Sequence, residues 1–340
     1  MGSVGMREVA ALAGVSVSTV SNVLNRPERV SADAAARVRA AIEALGYVPN
    51  LPARQLRGGR SGTIGMAVMD TAVPFFSQMI LAAETVAERS GLSLMVGNSF
   101  ASLTRQERHL ANFERYRVDG VLVTPVSRDL SSLHRLRRRG VPVVLVDARD
   151  DDGGFDSVWL DDVAGGRLAT EHLIGIGRTR ICFVGGPLHI RQTAGRLAGC
   201  REVMAATAGV TLTVRECEGR GGGMREGREA GEELAAMPAG ERPDGIFAAS
   251  DHKAIGLMQS LLRAGLRVPD DIAIVGYDDS EFAENTTVPL SSVRQPALDM
   301  GRSAAELLIQ RISDADAPVR QVTFDPELIV RESTGARAAG

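Results

Sequence analysis

Apolar side chains in the first sixty residues recur at helical spacing three times in succession. Val9 and Leu12 share one face of a predicted helix over residues 6–13, which then meets Gly14, a natural turn or helix-capping residue. Ser16 is placed to cap a second helix that must end before Pro27. Ser31 is placed to cap a third, with Asp33 favourable in its first turn; Val38, Ile42 and Leu45 line one face and Gly46 stops it. Two short helices joined through glycine and followed by a third make a helix-turn-helix layout.

On a wheel of about 100° per residue, Val20, Val23 and Leu24 fall on one side of the second helix and Ser18, Ser21, Asn22 and Asn25 on the other. That polar face carries no carboxylate to repel phosphate, and its donors and acceptors are short, which suits entry into a major groove. An ordinary solvated face has the same pattern. Further on, Asn50 is placed to cap one or two more helical turns, with Pro52 tolerated near their start. Leu56, flanked by Gln55 and Arg57, is either a plain exposed leucine or a wedge between base steps in a minor groove.

From Thr63 the pattern changes. Short β-rich runs at 63–68, 92–97, 120–123, 141–146, 180–184, 212–217, 245–248 and 272–276 alternate with helical patterns at 77–90, 105–115, 130–138, 164–174, 196–206, 224–234, 253–264 and 298–312. This alternation predicts doubly wound parallel sheets with right-handed crossovers. The stretch is too long for one core, so two α/β lobes are expected, with ligands at the carboxyl ends of the strands.

Charge sharpens this division. The chain of 340 residues has a net charge of −3, but residues 1–60 hold eight arginines and four acidic residues, whereas the remainder holds 31 basic and 38 acidic ones. A basic head on an acidic body points to nucleic-acid contact at one end, unless the clustering is chance. Lys253 is the only lysine, which reads as composition bias. Cys182, Cys200 and Cys217 form no CxxC pair and read as reduced thiols. With no apolar leader and no run of roughly 20 apolar residues, a soluble cytoplasmic protein is expected.

Catalytic chemistry finds little support. The Gly219–Met224 stretch lacks the lysine of a P-loop, the five histidines form no ligand-like pair, and there is no GxSxG elbow. No catalytic residue, metal or cofactor is therefore expected. A transport-type binding protein would need a leader and would lack the basic helical head.

The combination of Ala13-Gly-Val-Ser16, Thr19-Val-Ser21, Val23-Leu-Asn25, Val30-Ser31, Leu45-Gly-Tyr-Val-Pro-Asn50 and Ala53-Arg-Gln-Leu56 resembles the lactose-repressor (LacI/GalR) family of bacterial transcription regulators. Pro74-Phe-Phe76, Asp161-Asp-Val-Ala-Gly-Gly166, Val275-Gly-Tyr-Asp-Asp279 and Ser292-Val-Arg-Gln295 extend the resemblance through the body. It implies an all-α helix-turn-helix headpiece plus an α/β effector domain of two doubly wound parallel-sheet lobes, of the type I periplasmic-binding-protein-like kind. The expected divisions are 1–49 for the headpiece, 50–61 for a hinge helix and linker, and 62–340 for effector binding and dimerisation. One lobe would take about 62–160 and 293–325, the other about 161–292 and a C-terminal strand within 326–340.

The resemblance also implies roles. Val17, Ser18 and Asn22 would touch bases. Ser16, Thr19, Ser21, Asn25, Ser31, Tyr47, Asn50, Ala53, Arg54, Leu56 and Arg57 would meet the DNA backbone or minor groove. Phe76 would wall the inter-lobe cleft, Thr124 and Asp147 would bond ligand hydroxyls from the first lobe, and Arg196, Ser250 and Asp278 would act from the second, with Gln295 near a crossover. A carboxylate–guanidinium pair facing a diol suits sugar recognition. The implied partners are pseudo-palindromic double-stranded operator DNA, a sugar-like effector and a second copy of the chain, as dimer or tetramer. A purine co-repressor is the alternative effector. Val73, Asp162 and Ser250 each replace an asparagine common in the family, and Trp159 is the only tryptophan.

Overall fold

The computed structural model describes residues 4–25, 27–47, 60–217 and 223–335, and the chain divides into two units, Met1–Ser61 and Gly62–Gly340.

In the first unit, α1 (Met6–Ala13), α2 (Val17–Asn25) and α3 (Ala32–Leu45) form as predicted, with a short 3-10 turn at Pro27–Arg29. Leu12, expected on the apolar face with Val9, is however 56% exposed, and α1 instead packs through Val9, Ala10 and Ala13. Gly14 (φ 61°) and Gly46 (φ 59°) end α1 and α3 in the left-handed region, where a Cβ is strained. After each, the next N–H reaches back: Val15 to the Ala10 carbonyl and Tyr47 to the Ile42 carbonyl, both at 3.0 Å. Val9, Ala10, Ala13, Val20, Val38, Ala41 and Tyr47 make the core, against which Val23, Leu24, Ile42 and Leu45 pack.

The second unit contains two six-stranded sheets. Its strands are β1 (Thr63–Val68), β2 (Ser93–Asn98), β3 (Val121–Val123), β4 (Val143–Val146), β5 (Asp156–Leu160), β6 (Arg180–Gly185), β7 (Thr211–Glu216), β8 (Gly245–Ala248), β9 (Ala273–Asp278), β10 (Ser291–Arg294), β11 (Gln321–Phe324) and β12 (Glu327–Ile329). One sheet has the order β11-β5-β4-β3-β1-β2 and is wholly parallel; the other has the order β12-β10-β9-β8-β6-β7, with only β12 antiparallel. Central strands such as Val143–Val146 are buried on both faces and read as unbroken apolar runs. The chain passes between the sheets after β5, after β10 and after β11.

Strands β5, β10 and β11 were not legible as apolar runs, and β12 was implied only by the resemblance. For β5 and β10 the reason lies in their buried polar groups, whereas β11 and β12 are short edge strands with exposed Gln321, Thr323 and Glu327. β5 opens on Asp156, which holds Arg311 at 2.9 Å. β10 opens on Ser291 and Ser292, whose hydroxyls bond Thr334 at 2.7 Å and Asp251 at 2.6 Å. One boundary needs correction: Val293 and Arg294, assigned to the first lobe, pair with β9 in the second sheet, so the crossover follows them.

Candidate functional site

Helix α2 presents the surface expected to read DNA. Val17 and Ser18 are exposed at its start, Thr19, Ser21 and Asn22 are half-buried, and Val20 is fully buried beneath them. Ser16 caps the helix through the Thr19 N–H at 3.1 Å, and its hydroxyl pairs with those of Ser18 (2.7 Å) and Thr19 (2.8 Å). No acidic residue occurs in α2. Ser31 caps α3 through the Ala34 N–H. Tyr47, expected at the DNA backbone, is only 8% exposed and packs in the core. The side chain of Asn25, and all of Asn50, Ala53, Arg54, Leu56 and Arg57, lie outside what is described.

The second unit holds a cleft of about 490 Å³ at the carboxyl ends of both sheets. Six of the seven expected effector residues line it: Phe76, Asp147, Arg196, Ser250, Asp278 and Gln295. Thr124 does not; it is 1% exposed and its Oγ1 finds no partner among the described residues. The topology explains the convergence. Asp147 directly follows β4, Asp278 ends β9, Gln295 follows β10, and Ser250 caps the helix Asp251–Arg263 after β8.

Each charged group is held in place. Gln192 donates to both the carbonyl (2.6 Å) and the carboxylate (2.8 Å) of Asp147, and Gln295 donates to Asp278 at 2.6 Å. Arg196 donates to Asp162 at 2.8 Å and to the Ala249 carbonyl at 2.7 Å, with its guanidinium 3.6 Å over the Tyr277 ring. Next to Asp278, Asp279 is gripped by Arg294 (2.8 Å) and Arg331 (2.7 Å), which fixes the end of β9. Of six described non-glycine residues at positive φ, four line the cleft: Phe100, Ala101, Asp147 and Asp278. Backbone held in this region is strained and clusters at ligand sites.

Burial dominates the electrostatics. It pushes the Asp278 carboxyl up to about 6, although Arg196, the Gln295 hydrogen bond and Lys253 all pull the other way. Burial, with the neighbouring Asp162 charge, drives Asp147 well above the usual carboxylate range. Asp251, beneath the cleft, is pushed to about 8 by burial and then by the Asp278 charge. The set thus offers acceptor carboxylates, a fixed guanidinium and the aromatic rings of Phe75 and Phe76, packed edge to face at 5.1 Å.

Sequence reasoning missed Gln192, Asp70, His189, Glu216 and Lys253 in the lining. Gln192 was detectable, because it stands one helical turn before Arg196 on the same face.

Comparison with known proteins agrees with this geometry. Residues 5–50 match the lacI family of bacterial regulatory proteins, and residues 170–334 match the periplasmic binding protein-like domain. The ribose operon repressor of Escherichia coli K12 is 36% identical over 334 residues, covering 96% of this chain and 99% of that protein. A structure of the lac repressor dimer bound to operator and the anti-inducer ONPF superposes with a TM-score of 0.84 at 29% identity, covering 98% of this chain and 100% of that one. The complex of the transcriptional regulator CelR with cellobiose gives a TM-score of 0.71 at 33% identity, covering 97% and 99%. The charge-free α2 face, the two-sheet body and these likenesses over nearly the whole length show that this chain belongs to the lacI family of bacterial regulatory proteins.

Proposed function

We propose that this protein is a ligand-controlled repressor of a carbohydrate-utilisation operon, binding a pseudo-palindromic operator as a homodimer in the bacterial cytoplasm. The observation that carries the sugar assignment is the set of Asp147, Asp278 and Arg196 around one cleft beside Phe76. Carboxylates accept the hydroxyls of a vicinal diol and a guanidinium donates to its oxygens, while an aromatic wall covers the C–H face of a sugar ring. The relatives named for a ribose operon and found with cellobiose support the same class. A thermal-shift screen of sugars and nucleobases, with hits retested for operator binding, tests it. Sugar hits that alter operator affinity support the reading; stabilisation by nucleobases alone replaces it with purine co-repression.

A single headpiece makes too few contacts for specific affinity, so paired heads are required to read two half-sites. In this reading Asn22 pairs with adenine through N6 and N7, and Val17 meets a thymine methyl. Asn22→Arg should move the preferred half-site base toward guanine, as read by selection from a randomised DNA pool. An unchanged preference removes Asn22 from base reading. Leu56→Ala should weaken operator binding about tenfold or more if the leucine wedges base steps apart, with effector affinity retained. Equal operator affinity would return Leu56 to a plain linker residue.

A further inference from the structure

The cleft contains a cation that no ion pair among the described residues neutralises. Lys253 is the only lysine in a chain with 39 basic residues, and its side chain lines the cleft. It lies in the first turn of the helix Asp251–Arg263, just after the Ser250 cap. Its stem also crosses the start of a second helix, Met224–Ala236: a Cβ on the N-cap Gly223 would lie 2.9 Å from Lys253 Cγ and 3.0 Å from Nζ. Both helix starts present the positive end of a dipole, the least favourable place for an ammonium.

Several nearby carboxylates have other partners, and no ion pair to Lys253 forms among the described residues. Glu216 accepts the Leu188 N–H at 2.9 Å, Asp278 accepts the Gln295 amide, Asp162 holds Arg196, and Glu226 faces Arg225 at 3.9 Å. Burial lowers the Lys253 pKa, opposed by the charges of Cys217, Glu226 and Asp278. An incoming anion would satisfy the ammonium and both helix ends together. A lysine also differs in kind from the arginines used elsewhere in this chain, because it offers a compact point charge where a planar fork would need room.

We infer that Lys253 receives a carboxylate or phosphate of the ligand, so that the effector is an acidic sugar derivative rather than a neutral sugar. This rests on the effector-cleft reading above and names its ligand class. Asp147, Asp278 and Arg196 bind the hydroxyls, and Lys253 supplies the charge that admits an anion to a cleft otherwise rich in carboxylates.

The test is calorimetry on the full chain with matched probes: glucose, gluconate, glucuronate and glucose 6-phosphate, and ribose, ribonate and ribose 5-phosphate. Wild type should bind at least one acidic probe about ten- to a hundredfold more tightly than its neutral parent. The carboxylate and phosphate arms tell a sugar acid from a sugar phosphate. Lys253→Met should abolish the preference, Lys253→Gln should do so while keeping a polar side chain, and Lys253→Arg should retain part of it; thermal melting of each variant confirms folding. No acidic preference in wild type, or an undiminished one in both neutral variants, overturns the inference. If neutral sugars still control operator binding in that case, the repressor reading survives; if no sugar of either kind does, both fall.

Discussion

Asp278→Asn should lower effector affinity about ten- to a hundredfold and with it abolish control at ordinary effector concentrations, while the protein still folds. The substitution is sterically mild: asparagine is isosteric with aspartate and can take the same backbone at φ 108°, and the Gln295 amide would still find an acceptor oxygen. Its effect on stability follows from sign. The folded carboxyl titrates near 6, above its ordinary value of 3.8. Ionising it therefore opposes folding, and that penalty builds as pH rises from the ordinary carboxylate range to about 6. Asparagine removes the penalty, so the variant should be no less stable at neutral pH. Effector affinity in the wild type should fall as pH drops below about 6, where the acceptor becomes protonated, and the Asn variant should lose that dependence on this group. Calorimetry across pH 5–8, roughly the span over which such a group changes charge, reads both effects. By contrast, Arg196→Ala leaves Asp162 buried with its charge uncompensated and should reduce stability by about 3–5 kcal/mol, confounding any loss of response. A fully responsive Asp278→Asn protein would remove Asp278 from the cleft chemistry.

Gly199→Ala should be the most damaging small change in the body. The helices Asp162–Gly175 and Arg191–Ala206 pack backbone against backbone, and a Cβ on Gly199 would collide with the Val163 carbonyl oxygen and crowd the Arg167 nitrogen. On the facing helix, a Cβ on Gly166 would meet the Arg196 carbonyl. Separating two packed helices should destabilise by about 3 kcal/mol, lowering the melting temperature by roughly 5–10 °C. The same displacement moves Arg196, so effector affinity should fall as well. Gly175→Ala is the control: no atom lies within 4 Å of a Cβ there, and the change should be neutral or slightly stabilising. Equal melting temperatures for the two variants would contradict the packing account.

These two sites show what a sequence discloses. Asp278 was legible through the family resemblance, and the fold supplies the physical reason: it ends a strongly apolar strand, and strand ends in parallel sheets converge on one cleft. The helices of the headpiece were readable from the residues themselves, since Gly14, Ser16, Ser31 and Gly46 mark their ends with chemistry that acts locally. Gly199 carried no such mark. Its role depends on Val163, which is near only after folding. β10 was hidden because Ser291 and Ser292 are buried in hydrogen bonds to distant residues, which a polar sequence cannot announce. Thr124 misled in the opposite sense: it follows an apolar strand as Asp147 does, but it is buried away from the cleft. Lys253 was visible as a compositional oddity and gained meaning only from its place between two helix starts.

The central claim is that occupation of the cleft changes affinity for DNA, which requires the ligand to favour one conformation over another. The direct measurement is the affinity of the full-length protein for its selected operator, at fixed salt, with and without a saturating sugar that calorimetry shows to be bound. The account predicts a change of roughly 5- to 150-fold. Identical operator affinity with the cleft filled would contradict it.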